Sequence, residues 1–169
     1  MSSTVPHAEL AARAARAVTP DLAQAYQQDG AVCVRGLFSA EEIGLLTQGI
    51  EANLASPSER AIVASKPSDP GRFFEDFCNW QRIEAYQQFI QESPAAAAAC
   101  ALMQGSAVRL FHDHLLVKEA GTVQRTPWHQ DQPYYNVDGA QNVSMWIPVD
   151  PVPRESTPEF IAASHQGPG

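Results

Sequence analysis

Residues 126–135 read TPWHQDQPYY, and this decapeptide carries the most specific pattern in the chain. Side chains at positions i and i+2 of an extended strand point to the same side. His129 and Asp131 would therefore present an imidazole and a carboxylate together. Such a pair suits two adjacent ligands of an iron(II) site built from two histidines and one carboxylate. Taken alone, a His-x-Asp spacing is more often a surface or core pair than a ligand pair. The aromatic residues around it fit a pocket wall and aromatic packing at a strand end equally well.

Aromatic and amide side chains surround this pair. Trp128 precedes it, and the candidate substrate contacts lie within or directly after it: Gln130, Gln132, Tyr134 and Tyr135. A few polar groups set among aromatic rings are typical of a pocket wall. The sequence therefore predicts that a small-molecule substrate is bound around the decapeptide.

The chain changes character at Gly105, with helix signals before it and strand signals after it. An alanine-rich stretch at 8–18 predicts a helix, and caps predict further helices after Thr19, Ser39 and Ser93. The predicted strands cover residues 31–35, 108–118, 141–149 and 159–163. Residues 56–72 are predicted to form a long loop. Helices followed by antiparallel strands indicate the α+β class.

The composition narrows the classes of function. The 169 residues carry a net charge of −8 without a lysine–arginine cluster, so no nucleic-acid partner is expected. No apolar run approaches the ~20 residues of a membrane span, and no secretory signal is evident. Three widely spaced cysteines predict no disulfide framework, so a cytoplasmic location is expected. The sequence predicts no oligomeric state.

Several further segments extend the pattern of the decapeptide. They are YQQDGAVCVRGLF at 26–38, FHDHLLVKE at 111–119, VDG at 137–139 and SMW at 144–146. Together with residues 126–135, they strongly resemble the phytanoyl-CoA dioxygenase family of iron(II)- and 2-oxoglutarate-dependent oxygenases. The resemblance covers the chain from about residue 20.

This resemblance implies a double-stranded β-helix, a jelly-roll or cupin-like fold, with helices packed on one side. It implies Fe(II) and 2-oxoglutarate as cofactors and hydroxylation of a small organic substrate as the reaction. His129 and Asp131 would be two of three iron ligands, and Trp146 would flank 2-oxoglutarate. His112 and His114 share one face of the predicted strand, so they would contact 2-oxoglutarate or substrate, or else be hydrogen-bonded core histidines.

The sequence departs from the family pattern in two places. The family has a third iron ligand, a histidine, followed by an arginine that binds 2-oxoglutarate, and neither is found. His165 resembles a Ser-His element that precedes the family's distal ligand, and Arg154 lies before it rather than after it. We therefore expect residues 1–169 to be a truncated single oxygenase domain, inactive by itself. It would comprise a mainly helical part with one short strand (1–105) and the first β-helix strands (106–169).

Two alternatives remain open at this point. His112, His114 and Glu119 are similar to the first metal motif of a cupin, although no second motif follows. The chain would otherwise be a catalytically inactive fragment or a binding remnant of the oxygenase fold.

Overall fold

The computed structural model describes residues 6–167, which belong to two compact units. Unit 1 combines the chain up to Ser39 with Glu92–Arg109 and the residues from His129 onward, whereas unit 2 combines Ala40–Gln91 with Leu110–Trp128. The described elements are α1 His7–Ala17, α2 Pro20–Asp29, α3 Ala40–Ala55, β1 Ile62–Val63, β2 Phe73–Phe77, α4 Glu84–Glu92, α5 Ala95–Leu102 and β3 His114–Lys118. Short 3₁₀ turns follow at Gln132–Tyr134, Arg154–Ser156 and Ser164–Gln166.

Unit 1 has a helical core in which α5 packs against α1 and α2. Its buried residues are mostly small or aliphatic: Ala14, Val18, Leu37, Ala98 and Leu102. The predicted caps of α2 are confirmed, because the Thr19 hydroxyl accepts a hydrogen bond from Leu22 N at 3.2 Å. Gly30 ends α2 in the left-handed region, with φ +83°.

Unit 2 contains an antiparallel sheet with the strand order β1-β2-β3. Phe74 pairs with Val117, and Phe77 pairs with His114. Phe73, Phe74 and Leu115 are buried in this unit. In the same unit the ring of Tyr86 on α4 occupies the space where a Cβ at Gly49 on α3 would lie. The glycine therefore permits the close approach of the two helices.

A buried carboxylate joins α3 to β2 within unit 2. Asp76 is fully buried, and its Oδ2 accepts hydrogen bonds from Asn53 Nδ2 at 2.7 Å and from Ser58 N at 2.8 Å. Its Oδ1 accepts hydrogen bonds from the Ser58 hydroxyl and from Phe77 N. Burial by itself would raise the pKa of Asp76, but the donors from Ser58 and Asn53 hold that pKa well below its ordinary value.

Three of the four strand predictions are wrong, because residues 31–35, 141–149 and 159–163 lack strand structure. The segment 108–118 forms a strand only over β3. Its partner β2 was not predicted, and β1, which pairs with β2, lies inside the predicted loop 56–72. Val32 and Val34 pack against the helical core of unit 1 without ladder hydrogen bonds. Alternating apolar residues thus indicated burial correctly, but a strand also requires a partner.

The structure confirms the α+β class, with one three-stranded antiparallel sheet in the described part of the chain. The double-stranded β-helix and the single domain over 1–169 stay predictions. Among residues 6–167, no helix combines the length and the apolar composition needed to cross a bilayer.

Candidate active site

His129 and Asp131 lie next to one another in unit 1. The distance from His129 Nε2 to Asp131 Oδ1 is 3.3 Å, and the side chains are 40% and 43% exposed. Asp131 directly precedes the 3₁₀ turn Gln132–Tyr134, whose last residue donates from its backbone N to Asp131 O at 2.9 Å. The two side chains therefore lie close together, as predicted, but a turn rather than a strand brings them together.

The other oxygen of Asp131 is held by two hydroxyl groups. Asp131 Oδ2 accepts hydrogen bonds from Ser144 Oγ at 2.5 Å and from Tyr135 Oη at 3.3 Å. The two hydroxyls also lie 3.2 Å from each other. Burial raises the pKa of the Tyr135 phenol and the Asp131 carboxylate raises it further, which outweighs the lowering by the Ser144 hydrogen bond, so the phenol stays protonated near neutral pH.

The donor set and the spacing fit an iron(II) ion. Adjacent ligands that each lie ~2.1 Å from an octahedral metal ion are about 3.0 Å apart. The observed separation of 3.3 Å between His129 Nε2 and Asp131 Oδ1 is close to that value. In the part of the chain that the structure describes, no group of three or more His, Cys, Asp or Glu side chains is placed to hold a metal ion. The pair therefore offers two ligands.

His165 lies in unit 1 but has a structural contact at the end of α2. Its Nε2 donates to Gln27 O at 3.2 Å, and its ring occupies the space where a Cβ at Gly30 would lie. Ala163 N donates to Asp29 O at 2.8 Å in the same region. These contacts satisfy carbonyl groups that the last turn of a helix leaves without partners.

His112 and His114 belong to unit 2, whereas His129 belongs to unit 1. His114 Nε2 lies 3.0 Å from Glu75 Oε2, and its ring stacks on Phe77 with centroids 4.0 Å apart. The predicted contacts of His112 and His114 with 2-oxoglutarate or substrate stay predictions. No sequence signal indicated Glu75 as a partner, because the β2–β3 register that brings it to His114 was not predicted.

The cupin-type set is not brought together in the structure. Glu119 instead pairs with Arg72, whose Nη2 lies 2.6 Å and whose Nε lies 2.9 Å from Glu119 Oε1. Arg72 N also donates to Glu119 Oε2 at 2.9 Å. Both carboxylate oxygens therefore bind an arginine at the end of the predicted loop 56–72, and His112, His114 and Glu119 form no cluster among residues 6–167.

The remaining predicted contacts are positioned as follows. Gln130 Nε2 donates to Ser164 O at 3.1 Å, and Gln132 Nε2 donates to Val137 O. Tyr134 is 77% exposed, and its ring meets the His129 ring edge-on with centroids 6.2 Å apart. Trp146 is 48% exposed. Their roles in binding substrate or 2-oxoglutarate stay predictions.

Sequence reasoning did not assign a role to Ser144. In the sequence it belongs to the SMW segment, and no local periodicity pairs residues that lie thirteen positions apart. Only the tertiary structure of unit 1 brings its hydroxyl to the carboxylate.

Comparison with known proteins gives one match. The model of the family described as phytanoyl-CoA dioxygenase (PhyH) matches residues 26–169. No curated protein and no solved structure matches the chain.

Proposed function

The chain belongs to the phytanoyl-CoA dioxygenase family, and from this premise we propose that it is an iron(II)- and 2-oxoglutarate-dependent dioxygenase that hydroxylates a small organic substrate. The observation that carries the proposal is the 3.3 Å approach of His129 Nε2 to Asp131 Oδ1 within the matched segment. An imidazole and a carboxylate at this distance form the protein part of a non-haem iron site that lacks one ligand.

His129 and Asp131 would hold the metal, and the iron centre with 2-oxoglutarate would supply dioxygen activation when bound. His129 contributes a neutral imidazole, and Asp131 contributes an anionic oxygen that offsets part of the metal charge. The exposed rings of Tyr134 and Trp146 would form walls beside the co-substrate and the substrate. A double-stranded β-helix and a cytoplasmic location complete the proposal.

We expect this chain by itself to turn over slowly or not at all. The pair supplies two ligands, and no third residue joins it among the described residues. Metal affinity depends on the number of preoriented donors, so the chain should bind iron more weakly than a site with three protein ligands. This ligand count favours the second candidate function, a catalytically inactive binding remnant of the oxygenase fold.

The positions of the positive charges bear on the class of substrate. A coenzyme A ester carries phosphates, which require cationic partners. Arg72 is already paired with Glu119 through two guanidinium contacts. We therefore favour a small metabolite over a thioester. A substrate panel in which only thioesters stimulate 2-oxoglutarate turnover would contradict this choice.

Metal binding by the purified chain tests the proposed site. We expect Co(II), used as a probe for iron(II), to bind with one-to-one stoichiometry and to be lost in His129→Ala and Asp131→Ala. His165→Ala is the matched control, because this histidine contacts Gln27 O and should leave Co(II) binding unchanged. Equal binding by the wild type, His129→Ala and Asp131→Ala would refute the proposed site. Loss of binding in His165→Ala would instead make His165 a ligand. Succinate formation should show the same dependence on His129 and Asp131 wherever turnover is measurable.

A further inference from the structure

We propose that Ser144 and Tyr135 form a hydroxyl clamp that positions Asp131 as a metal ligand. The clamp consists of Ser144 Oγ and Tyr135 Oη, both hydrogen bonded to Asp131 Oδ2. The proposal rests on the proposed function, because it assumes that Asp131 Oδ1 and His129 Nε2 hold the metal. It assigns Ser144 and Tyr135 as positioning residues, since they act through Asp131.

The clamp distinguishes the two oxygens of one carboxylate. The terminal torsion of an aspartate is broad and roughly two-fold, so an unrestrained carboxylate exchanges its oxygens easily. Hydrogen bonds of 2.5 Å from Ser144 and 3.3 Å from Tyr135 act on the same oxygen, Oδ2. The other oxygen then stays directed toward His129 Nε2, at 3.3 Å. Hydrogen-bond partners of this kind orient metal ligands and tune their affinity.

The two hydroxyls support one another as well as the carboxylate. Tyr135 Oη and Ser144 Oγ are 3.2 Å apart, which closes a triangle with Asp131 Oδ2. Each hydroxyl has one hydrogen to donate and can accept from a neighbour. Tyr135 can therefore donate its hydrogen to Asp131 or to Ser144. Of the two contacts with Asp131 Oδ2, the one from Ser144 is the shorter. Ser144 is accordingly expected to contribute more than Tyr135.

The segment that carries Ser144 is anchored to the helical core of unit 1. Met145, the next residue, packs against the core cluster. Tyr26 Oη on α2 donates to Asn142 O at 3.3 Å. A functional side chain is held more accurately when its own backbone is fixed by packing and hydrogen bonds. The backbone that carries the Ser144 hydroxyl is therefore fixed, although the side chain itself is exposed.

Co(II) titration of the purified chain, followed by visible absorption, tests the hydroxyl clamp. We expect Ser144→Ala to weaken Co(II) binding about tenfold and to change the absorption envelope of the bound ion, because an outer partner of a ligand is lost. Ser144→Thr keeps a hydroxyl and should recover most of the affinity. Tyr135→Phe should weaken binding by a smaller factor. Ser156→Ala, at an exposed turn, is the control and should bind as the wild type does.

The outcomes separate this proposal from the proposed function. If His129→Ala abolishes binding while Ser144→Ala and Tyr135→Phe both bind and absorb as the wild type does, the clamp is refuted and the metal site stands. A wild-type chain that binds no Co(II), or a His129→Ala chain that binds it normally, overturns both. Circular dichroism of each variant confirms folding. Should Ser144→Ala unfold, Tyr135→Phe decides the question, and unchanged binding there would then overturn the clamp.

Discussion

Asp76 in unit 2 and Asp131 in unit 1 are both hydrogen bonded to a serine hydroxyl, but the rest of their surroundings differ. Asp76 is fully buried, and donors reach both of its oxygens. Asp131 has a side chain that is 43% exposed, with donors on Oδ2 and an imidazole beside Oδ1. A carboxylate whose oxygens are all used by the protein stabilises the fold. One with an oxygen directed at an imidazole fits the metal site that we propose.

Replacing the buried carboxylate should have the largest effect on stability. Asp76→Ala leaves Ser58 N and Asn53 Nδ2 without their acceptor. Each buried donor left unsatisfied costs about 1–3 kcal/mol, so we expect a loss of about 4 kcal/mol in the free energy of unfolding. Urea denaturation measures this loss. Asp131→Ala should change the free energy of unfolding by less than about 0.5 kcal/mol, since the site is exposed.

Asp150→Ala, at an exposed position, is the control for both variants and should behave as the wild type does. If Asp76→Ala and Asp131→Ala lower the urea midpoint equally, the contrast between a structural and a functional carboxylate is wrong.

The two serines offer a finer comparison. Ser58→Ala removes one hydroxyl donor from the charged Asp76 but keeps the backbone donor of the same residue. A hydrogen bond to a charged group contributes about 1.5–3 kcal/mol, so we expect a destabilisation of about 2 kcal/mol. Ser144→Ala should leave the unfolding free energy within about 0.5 kcal/mol of the wild type, because Ser144 is exposed. Thermal and urea unfolding of both variants would show the difference, and the reverse order of stability would contradict it.

The smallest expected effect is a pH dependence that originates at Asp76. Its pKa in the folded chain is lower than the ordinary value of 3.8, so the unfolded chain binds more protons as the pH falls. The stabilisation is complete above that value and is lost below it, toward the lowered pKa. We expect the wild type to lose about 1 kcal/mol between pH 4 and pH 3 relative to Asp76→Asn. Parallel stability profiles of the two proteins over this range would exclude Asp76 as the source.

Local signals account for what the sequence could predict. Thr19 and Gly30 define the ends of α2, because caps act within a single turn of the chain. The same holds for His129 and Asp131, whose two-residue spacing keeps them together even though no strand forms. The helix α4 and the strand β2 were missed, and residues 141–149 were assigned to a strand they do not form. Pairing of strands depends on segments distant in sequence, which periodicity does not report.

In the candidate site, too, the contacts that the sequence did not predict join residues that are distant in sequence. Ser144 reaches Asp131 only because its segment is anchored to the core of unit 1. Glu75 reaches His114 only because β2 and β3 pair in one register. Neither contact has a signature in the residues that flank it, because each arises only in the tertiary structure.

The ring of His165, which packs on Gly30, links the end of α2 to the surroundings of His129 and Asp131. A Cβ at position 30 would clash with His165 Nδ1, so a methyl group there would move this ring, and the φ of +83° would strain any L residue. Ser164 O is the acceptor for Gln130, the residue between His129 and Asp131. A mutational survey would therefore find that Gly30, a position remote in sequence from His129 and Asp131, is sensitive to substitution although it contacts neither of them.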